Sequence, residues 1–357
     1  MSNSSTLAQK ANWMTLGVMS GSSLDGLDLA LCSFTLQQGR WSFNIDEATT
    51  LSYSPQFRER LLSAMHGTAL DLARIHRDLG AFIGTACKDF LNGRSVDVIG
   101  SHGHTLFHLP EEGLTTQIGC GAHIATRSGM PVVCDFRTMD VALGGQGAPL
   151  VPLGEQLLFP VHKTFINLGG IANIAVHDER TLGYDIGPCN QTLDLLAHEA
   201  GFAYDADGAL ARSGVVHPEL LASLNALPFY TQAPPRSLGR EWSDENVAPL
   251  ITDRSIALAD RLRTVVEHIA AMSALSLKDV ESAAFVTGGG AHNGFLLERI
   301  RALSGKELII PDALTVNFKE ALIFAFLGVL RLRNEPTALA SVTGASRDSV
   351  GGAVYGA

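Results

Sequence analysis

An α/β fold with two similar domains facing a central cleft is predicted for this 357-residue chain on three observations. Short runs rich in Val, Ile and Leu alternate with longer segments of helical periodicity. The 36 glycines gather between them, at 17–26, 144–147, 169–170, 183–187 and 288–290. Two well-separated segments read as strand, glycine turn, strand, and a third reads as strand, glycine turn, helix.

The first segment runs from Thr15 to Phe34. After its Gly/Ser turn, Leu27, Leu29 and Leu31 alternate with Asp28, Ala30 and Cys32, the period of two that a strand requires. The second, Thr164 to His177, has a Gly169-Gly170 turn in the same place. The third, Ala283 to Glu298, passes from a buried strand through Gly288, Gly289 and Gly290 into a helix. Helices are expected over 193–200, 255–275 and 318–330. In the second of these Ile256, Leu262, Val265, Val266, Ile269 and Met272 fall near one face.

Hydrophobic residues make up 46% of the chain and charged residues 17%, which supplies material for large cores and excludes disorder. With 26 basic against 36 acidic residues and no basic run, nucleic acid and anionic membranes are not expected partners. The first thirteen residues lack the apolar core of a signal peptide, and the longest apolar stretch, Ala321–Leu330, is of buried-core length. The five cysteines are odd in number and form no CxxC pair, which points to reduced thiols and a cytoplasmic location.

The turn from Gly21 to Asp28 has the makings of an ATP phosphate loop. Gly21 and Gly26 allow close backbone approach, Ser22 and Ser23 offer hydroxyl donors, and Asp25 or Asp28 could hold Mg2+. An ordinary hairpin turn uses the same residue types, and no Gly-Lys-Ser/Thr follows to make a Walker motif. Gly169-Gly170, with Asn167 and Asn173 on either side, is the natural second clamp, and Gly288–Gly290 could seat a flat ring or an anion; a plain hairpin is the simpler reading of the first and close helix–strand packing of the second. Asp185 in Gly183–Asn190 is placed after a short strand and before a Gly-Pro turn, as a general base or simply a turn former, with Asn190 as cap of the following helix. His102, His104 and His108 lack the downstream carboxylate of a metallohydrolase, so contacts from His102, His104 or Thr105 to a sugar are preferred to metal ligation. Arg137 follows an apolar run and suits a carboxylate clamp; Glu320 opens an apolar helix, favoured by the helix dipole or kept for substrate hydroxyls.

Nine segments in order then resemble the anhydro-N-acetylmuramic acid kinase family: 19–28, 99–105, 132–152, 165–173, 184–190, 234–241, 286–293, 319–327 and 342–345. The resemblance implies two ribonuclease-H-like domains of the actin/hexokinase-like ATPase fold, residues 1–135 with about 345–357 forming one and 136–344 the other. It implies ATP and Mg2+ as cofactors, 1,6-anhydro-N-acetylmuramic acid as substrate and a homodimer. By the same resemblance Asp185 is the catalytic base, and Gly21, Ser22, Ser23, Leu24, Asp25, Gly26, Leu27, Asp28, Gly169, Gly170, Gly288, Gly289 and Gly290 serve the nucleotide. Asp25 serves the metal, and His102, Thr105, Arg137, Asn190 and Glu320 the sugar. The chain departs from the family at Ser22 (usually Thr), His104 (usually Gln), Cys189 (usually Gly) and 153–156, where a His is usual. A kinase for another sugar and a non-catalytic ATP-binding protein of the same fold are the alternatives.

Overall fold

A computed structural model describes residues 9–21, 24, 26–179, 181–234 and 236–356. The described residues divide into two compact units, one made of Met1–Pro160 with Phe318–Ala357, the other of Val161–Asn317.

In the first unit, β1 (Asn12–Ser20), β2 (Leu27–Gln37) and β3 (Arg40–Leu51) form an antiparallel meander. β4 (Val98–Ser101) and β7 (Val132–Cys134) extend it in parallel from β1, and β13 (Ala353–Tyr355) closes the edge, giving the order β13-β7-β4-β1-β2-β3. A separate hairpin is built from β5 (His104–Leu109) and β6 (Leu114–Ile118). In the second unit, β8 (Thr164–Leu168), β9 (Ile171–His177) and β10 (Thr181–Pro188) are the meander, and β11 (Ala284–Thr287) and β12 (Leu308–Ile309) run parallel to β8. Leaving aside the β13 edge, both sheets follow one plan: three antiparallel strands in order 3-2-1, then two strands parallel to the first. This is the ribonuclease-H-like arrangement, and it occurs twice.

Helices cover the sheets because parallel strands need crossover connections that bury apolar faces. The first unit has α1 (Ala69–Leu91), capped by Thr68 and Asp71 in a reciprocal box, α2 (Gly121–Ser128) and α3 (Val151–Leu158). The second has α4 (Asn190–Glu199), α5 (Leu258–Ser276) and α6 (Gly294–Ser304). In α5 the expected stripe is buried at Leu262, Val265, Val266 and Ile269, while Ile256 and Met272 pack at its margin. Each fully buried Leu or Val contributes about 1.5–3 kcal/mol. α7 (Ala313–Leu332) carries a non-helical backbone at Phe318 (φ −121°, ψ 15°), the residue at which the units divide.

From Phe318 onward α7 lies very close to the first sheet. A Cβ on Gly17 of β1 would stand 1.8 Å from the Ala321 carbonyl oxygen, and one on Gly100 of β4 would stand 2.1 Å from that of Phe324. α7 is long and apolar enough to cross a membrane, with a mean hydropathy of 1.7, but 78% of that window is buried in the protein. The sequence reading, which began this helix at residue 318, missed its first turn, 313–317. The close packing of α7 and the burial of α3 also move the domain limits: 136–160 and 318–344 belong with the first unit, not with the second as expected.

Candidate active site residues in each unit

In the first unit, the β1–β2 loop leaves the sheet at Ser20 and returns at Leu27. Ser22, Ser23 and Asp25 lie outside the described residues. Gly21 accepts the Leu24 N–H at 3.2 Å, and Leu24 is buried with a left-handed φ of 55°. Gly26 must be glycine, since a Cβ would meet the Leu51 carbonyl oxygen at 2.8 Å. Side chains brace both ends. The Tyr53 hydroxyl donates to Ser20 Oγ at 2.8 Å, the ring of His104 approaches the same oxygen at 3.4 Å, and Thr50 Oγ1 donates to Asp28 Oδ1 at 2.6 Å. Burial pushes the His104 pKa down, so the ring is neutral at physiological pH.

The histidine cluster splits between different partners. His102 is buried, and its Nε2 accepts Arg137 Nε at 3.0 Å and Nη2 at 2.9 Å, while Nδ1 faces the Gly103 carbonyl at 3.0 Å. Accepting from a guanidinium requires a neutral ring, and burial, with the Arg137 charge, holds its pKa well below the ordinary value. Arg137 Nη1 also donates to the Gly147 carbonyl at 2.6 Å. Burial brings its pKa down to about 10, with Glu320 and Asp140 opposing, and it stays cationic at neutral pH. His102, expected against a sugar, therefore spends its polar edge on Arg137. Thr105 lies half-buried in β5, beside Gln117 at 3.4 Å.

Glu320 sits in α7 directly after Lys319, which makes a buried ion pair with Glu155 of α3 at 2.6 Å. Burial raises the Glu320 pKa, Lys319 and Arg137 pull it down, and Glu155 raises it again. Asp140, not singled out in the sequence, anchors the glycine-rich 144–147 loop. Its carboxylate is buried and accepts the Gly147 N–H and the Thr343 hydroxyl, both at 2.8 Å.

In the second unit three sequence segments converge on one turn. The Gly169 and Gly170 carbonyls accept the N–H groups that open α4: Asn190 onto Gly169 at 3.1 Å, and Cys189 and Gln191 onto Gly170 at 2.8 and 3.3 Å. Asn190 is not the expected cap. Cys189 holds that position, and Asn190 Nδ2 instead donates to the Leu168 carbonyl at 2.9 Å. Gly288 (φ 84°) and Gly290 pack on the same turn, where a Cβ on either would strike Leu168. Gly289 is exposed beside Asn190, and α6 begins only at Gly294, capped by Asn293, so Gly288–Gly290 do not form its start.

Asp185 lies within β10, at a bulge between it and Gly187, not after the strand as the sequence suggested. The bulge interrupts the backbone ladder there and bends the strand, which re-aims the side chain. One oxygen, Oδ2, accepts the Leu238 N–H at 3.0 Å. Burial pushes the pKa up to about 6, while the Leu238 N–H and the Arg236 charge oppose the rise. A base poised there is ionised at neutral pH and still takes up a proton readily. Arg236 and Leu238 fall in the 234–241 segment that carries the resemblance, but neither was assigned a role from sequence, because they lie 51 and 53 positions from Asp185.

The pattern of the family described as anhydro-N-acetylmuramic acid kinase matches residues 13–357. A curated protein of that name from Shewanella baltica is 36% identical, covering 96% of this chain and 98% of its own length. One from Vibrio vulnificus is 38% identical, with 95% and 97% covered. Among solved structures, the Clostridium difficile activator of 2-hydroxyisocaproyl-CoA dehydratase with bound ADPNP is similar at 13% identity and a TM-score of 0.44, covering 90% of this chain and 96% of its own.

Proposed function

The chain belongs to the anhydro-N-acetylmuramic acid kinase family, and from that premise we propose how its residues carry the reaction. The protein is a phosphotransferase with an alcohol acceptor, converting 1,6-anhydro-N-acetylmuramic acid, ATP and water to N-acetylmuramic acid 6-phosphate and ADP in peptidoglycan recycling. Asp185 takes a proton from the water that bonds to the anomeric carbon. The bond from that carbon to O6 breaks, O6 bonds to the γ-phosphorus, and ADP leaves.

The observation that carries this reading is Asp185, a half-buried carboxylate with a pKa near 6 and one oxygen held by a backbone N–H. Arg137, fixed by His102, and Glu320 are assigned to the sugar's carboxylate and hydroxyls. The Gly21–Asp28 loop, Gly169-Gly170 and Gly288–Gly290 are assigned to ATP. A nucleotide-borne Mg2+ fits the first of these, since it binds through one or two carboxylates plus phosphate oxygens. Asp28, steadied by Thr50, and Asp25 offer that donor type. When bound, the ion supplies neutralisation of phosphate charge. Five free cysteines accord with a cytoplasmic setting, and a homodimer belongs to the reading as well.

The test is ADP release with Mg2+ and ATP, with and without the anhydro-sugar, following the sugar by mass spectrometry. A sugar-dependent product heavier by one water and one phosphoryl group supports the reading. ADP release without that product would redirect it to a different sugar.

A further inference from the structure

We propose that Arg236 is a positioning residue for Asp185, fixing the direction of its carboxylate and keeping it ionised. The inference rests on the reading of Asp185 as the base.

The geometry is a strap. Residues 229–234 and 236–238 lie against β10 at Asp185 and bond it from both sides: the Asp185 N–H donates to the Arg236 carbonyl at 2.9 Å, and the Leu238 N–H donates to the carboxylate. Between those two bonds the Arg236 side chain folds back. Its Nε donates to the Asp185 carbonyl at 3.3 Å, and Nη1 to the carbonyls of Phe229, Tyr230 and Gln232 at 3.3, 3.2 and 2.9 Å. The guanidinium lies 4.7 Å from the centre of the Phe229 ring and 5.6 Å from that of Tyr184, next to Asp185 in sequence.

A cation held only by neutral carbonyls and ring faces keeps its charge unspent, because no carboxylate is bonded to it among the described residues. Its field reaches Asp185. The strap is itself braced: the Tyr230 hydroxyl meets His268 Nε2 at 2.8 Å, and His268 Nδ1 meets Asn225 at 2.7 Å. A Cβ on Gly187 would stand 2.7 Å from the Tyr230 hydroxyl oxygen, so the strap and the bulge fit only with glycine there.

Three titratable groups packed around the strap are neutral at physiological pH, and Asp194 of α4 is the nearby carboxylate that acts on one of them, Cys189. Burial raises the Tyr230 phenol, raises the Cys189 thiol to about 12 and lowers His268 to about 4. β9 places the uncharged Asn173 opposite Asp185. Against the burial that raises the carboxylate's pKa, the Leu238 N–H and then the Arg236 charge act to keep it ionised.

The experiment is the pH profile of kcat/KM for Arg236→Gln and Arg236→Lys in the full-length enzyme, beside Asp185→Asn. The position of the acid limb does not depend on how much of a variant is folded. Loss of the cation should move that limb to higher pH by on the order of half to one unit and lower kcat roughly tenfold. Arg236→Lys keeps the charge and should keep the limb near its original pH, though it loses the fork. An unmoved limb in Arg236→Gln, or equal movement in both variants, overturns the proposal. Substantial turnover by Asp185→Asn overturns instead the reading on which it rests.

Discussion

The two units share one strand plan but hold their first turns by opposite means. In the first, the β1–β2 loop is braced by side chains: Tyr53 and His104 on Ser20 at its start, Thr50 on Asp28 at its end. In the second, the β8–β9 turn is braced by backbone, its Gly169 and Gly170 carbonyls taken up by the N–H groups that open α4. A turn fixed by side chains tolerates change according to which hydroxyl is lost. A turn fixed by main chain is indifferent to side-chain identity, except where a Cβ would intrude on a ligand.

The largest expected effect lies in the second unit. Asp185→Asn should lower kcat by about 10²–10⁴-fold in steady-state assays while ATP affinity, measured by calorimetry, stays within about twofold. It should also stabilise the protein. Because burial raises the folded-state pKa to about 6, the folded form binds a proton between the ordinary carboxylate range and pH 6 that the unfolded form releases. Stability therefore falls as pH rises through that window. The amide variant should gain about 1–2 kcal/mol at pH 7 and nothing near pH 3. Equal Tm values at pH 7 would show that the buried charge costs nothing.

Glycines sharpen the comparison. Gly100→Ala forces a Cβ into the Phe324 carbonyl and should cost about 3 kcal/mol or more in urea unfolding. Gly170→Ala meets nothing closer than 4.0 Å, so stability should change by about 0.5 kcal/mol or less. A rise in KM for ATP at unchanged Tm then reports a ligand close to that backbone, and an unchanged KM removes the turn from the nucleotide assignment. On the side-chain brace, Tyr53→Phe should cost about 1 kcal/mol in unfolding and raise KM for ATP only a few-fold. A large kcat effect would mean that the side-chain brace does more than hold the loop.

Much of this was legible in sequence. Clustered glycines and alternating leucines locate the turns, and the turn positions carry the family resemblance, because backbone approach restricts residue type locally. Partnerships were not legible. Arg236 lies 51 residues from Asp185, Arg137 lies 35 from His102, and Lys319 lies 164 from Glu155; periodicity has no means of pairing them. His102 looked like a ligand because imidazole is versatile, yet the fold turns it inward onto a guanidinium. Asn190 looked like a cap because of its residue type, yet a longer-range acceptor, the Leu168 carbonyl, claims its side chain.

The pairing of β13 with β7 bears on biosynthesis. The second unit is one uninterrupted stretch, Val161–Asn317, whereas the first is assembled from segments on both sides of it. On the ribosome the N-terminal strands emerge first, without the C-terminal segment that supplies α7 and the β13 edge. At about 5–20 residues per second, the 157 residues in between delay that segment by roughly 8–30 s. During that interval the Gly17 and Gly100 face has no helix upon it, so the nascent chain spends its most aggregation-prone moments while the second unit is being made.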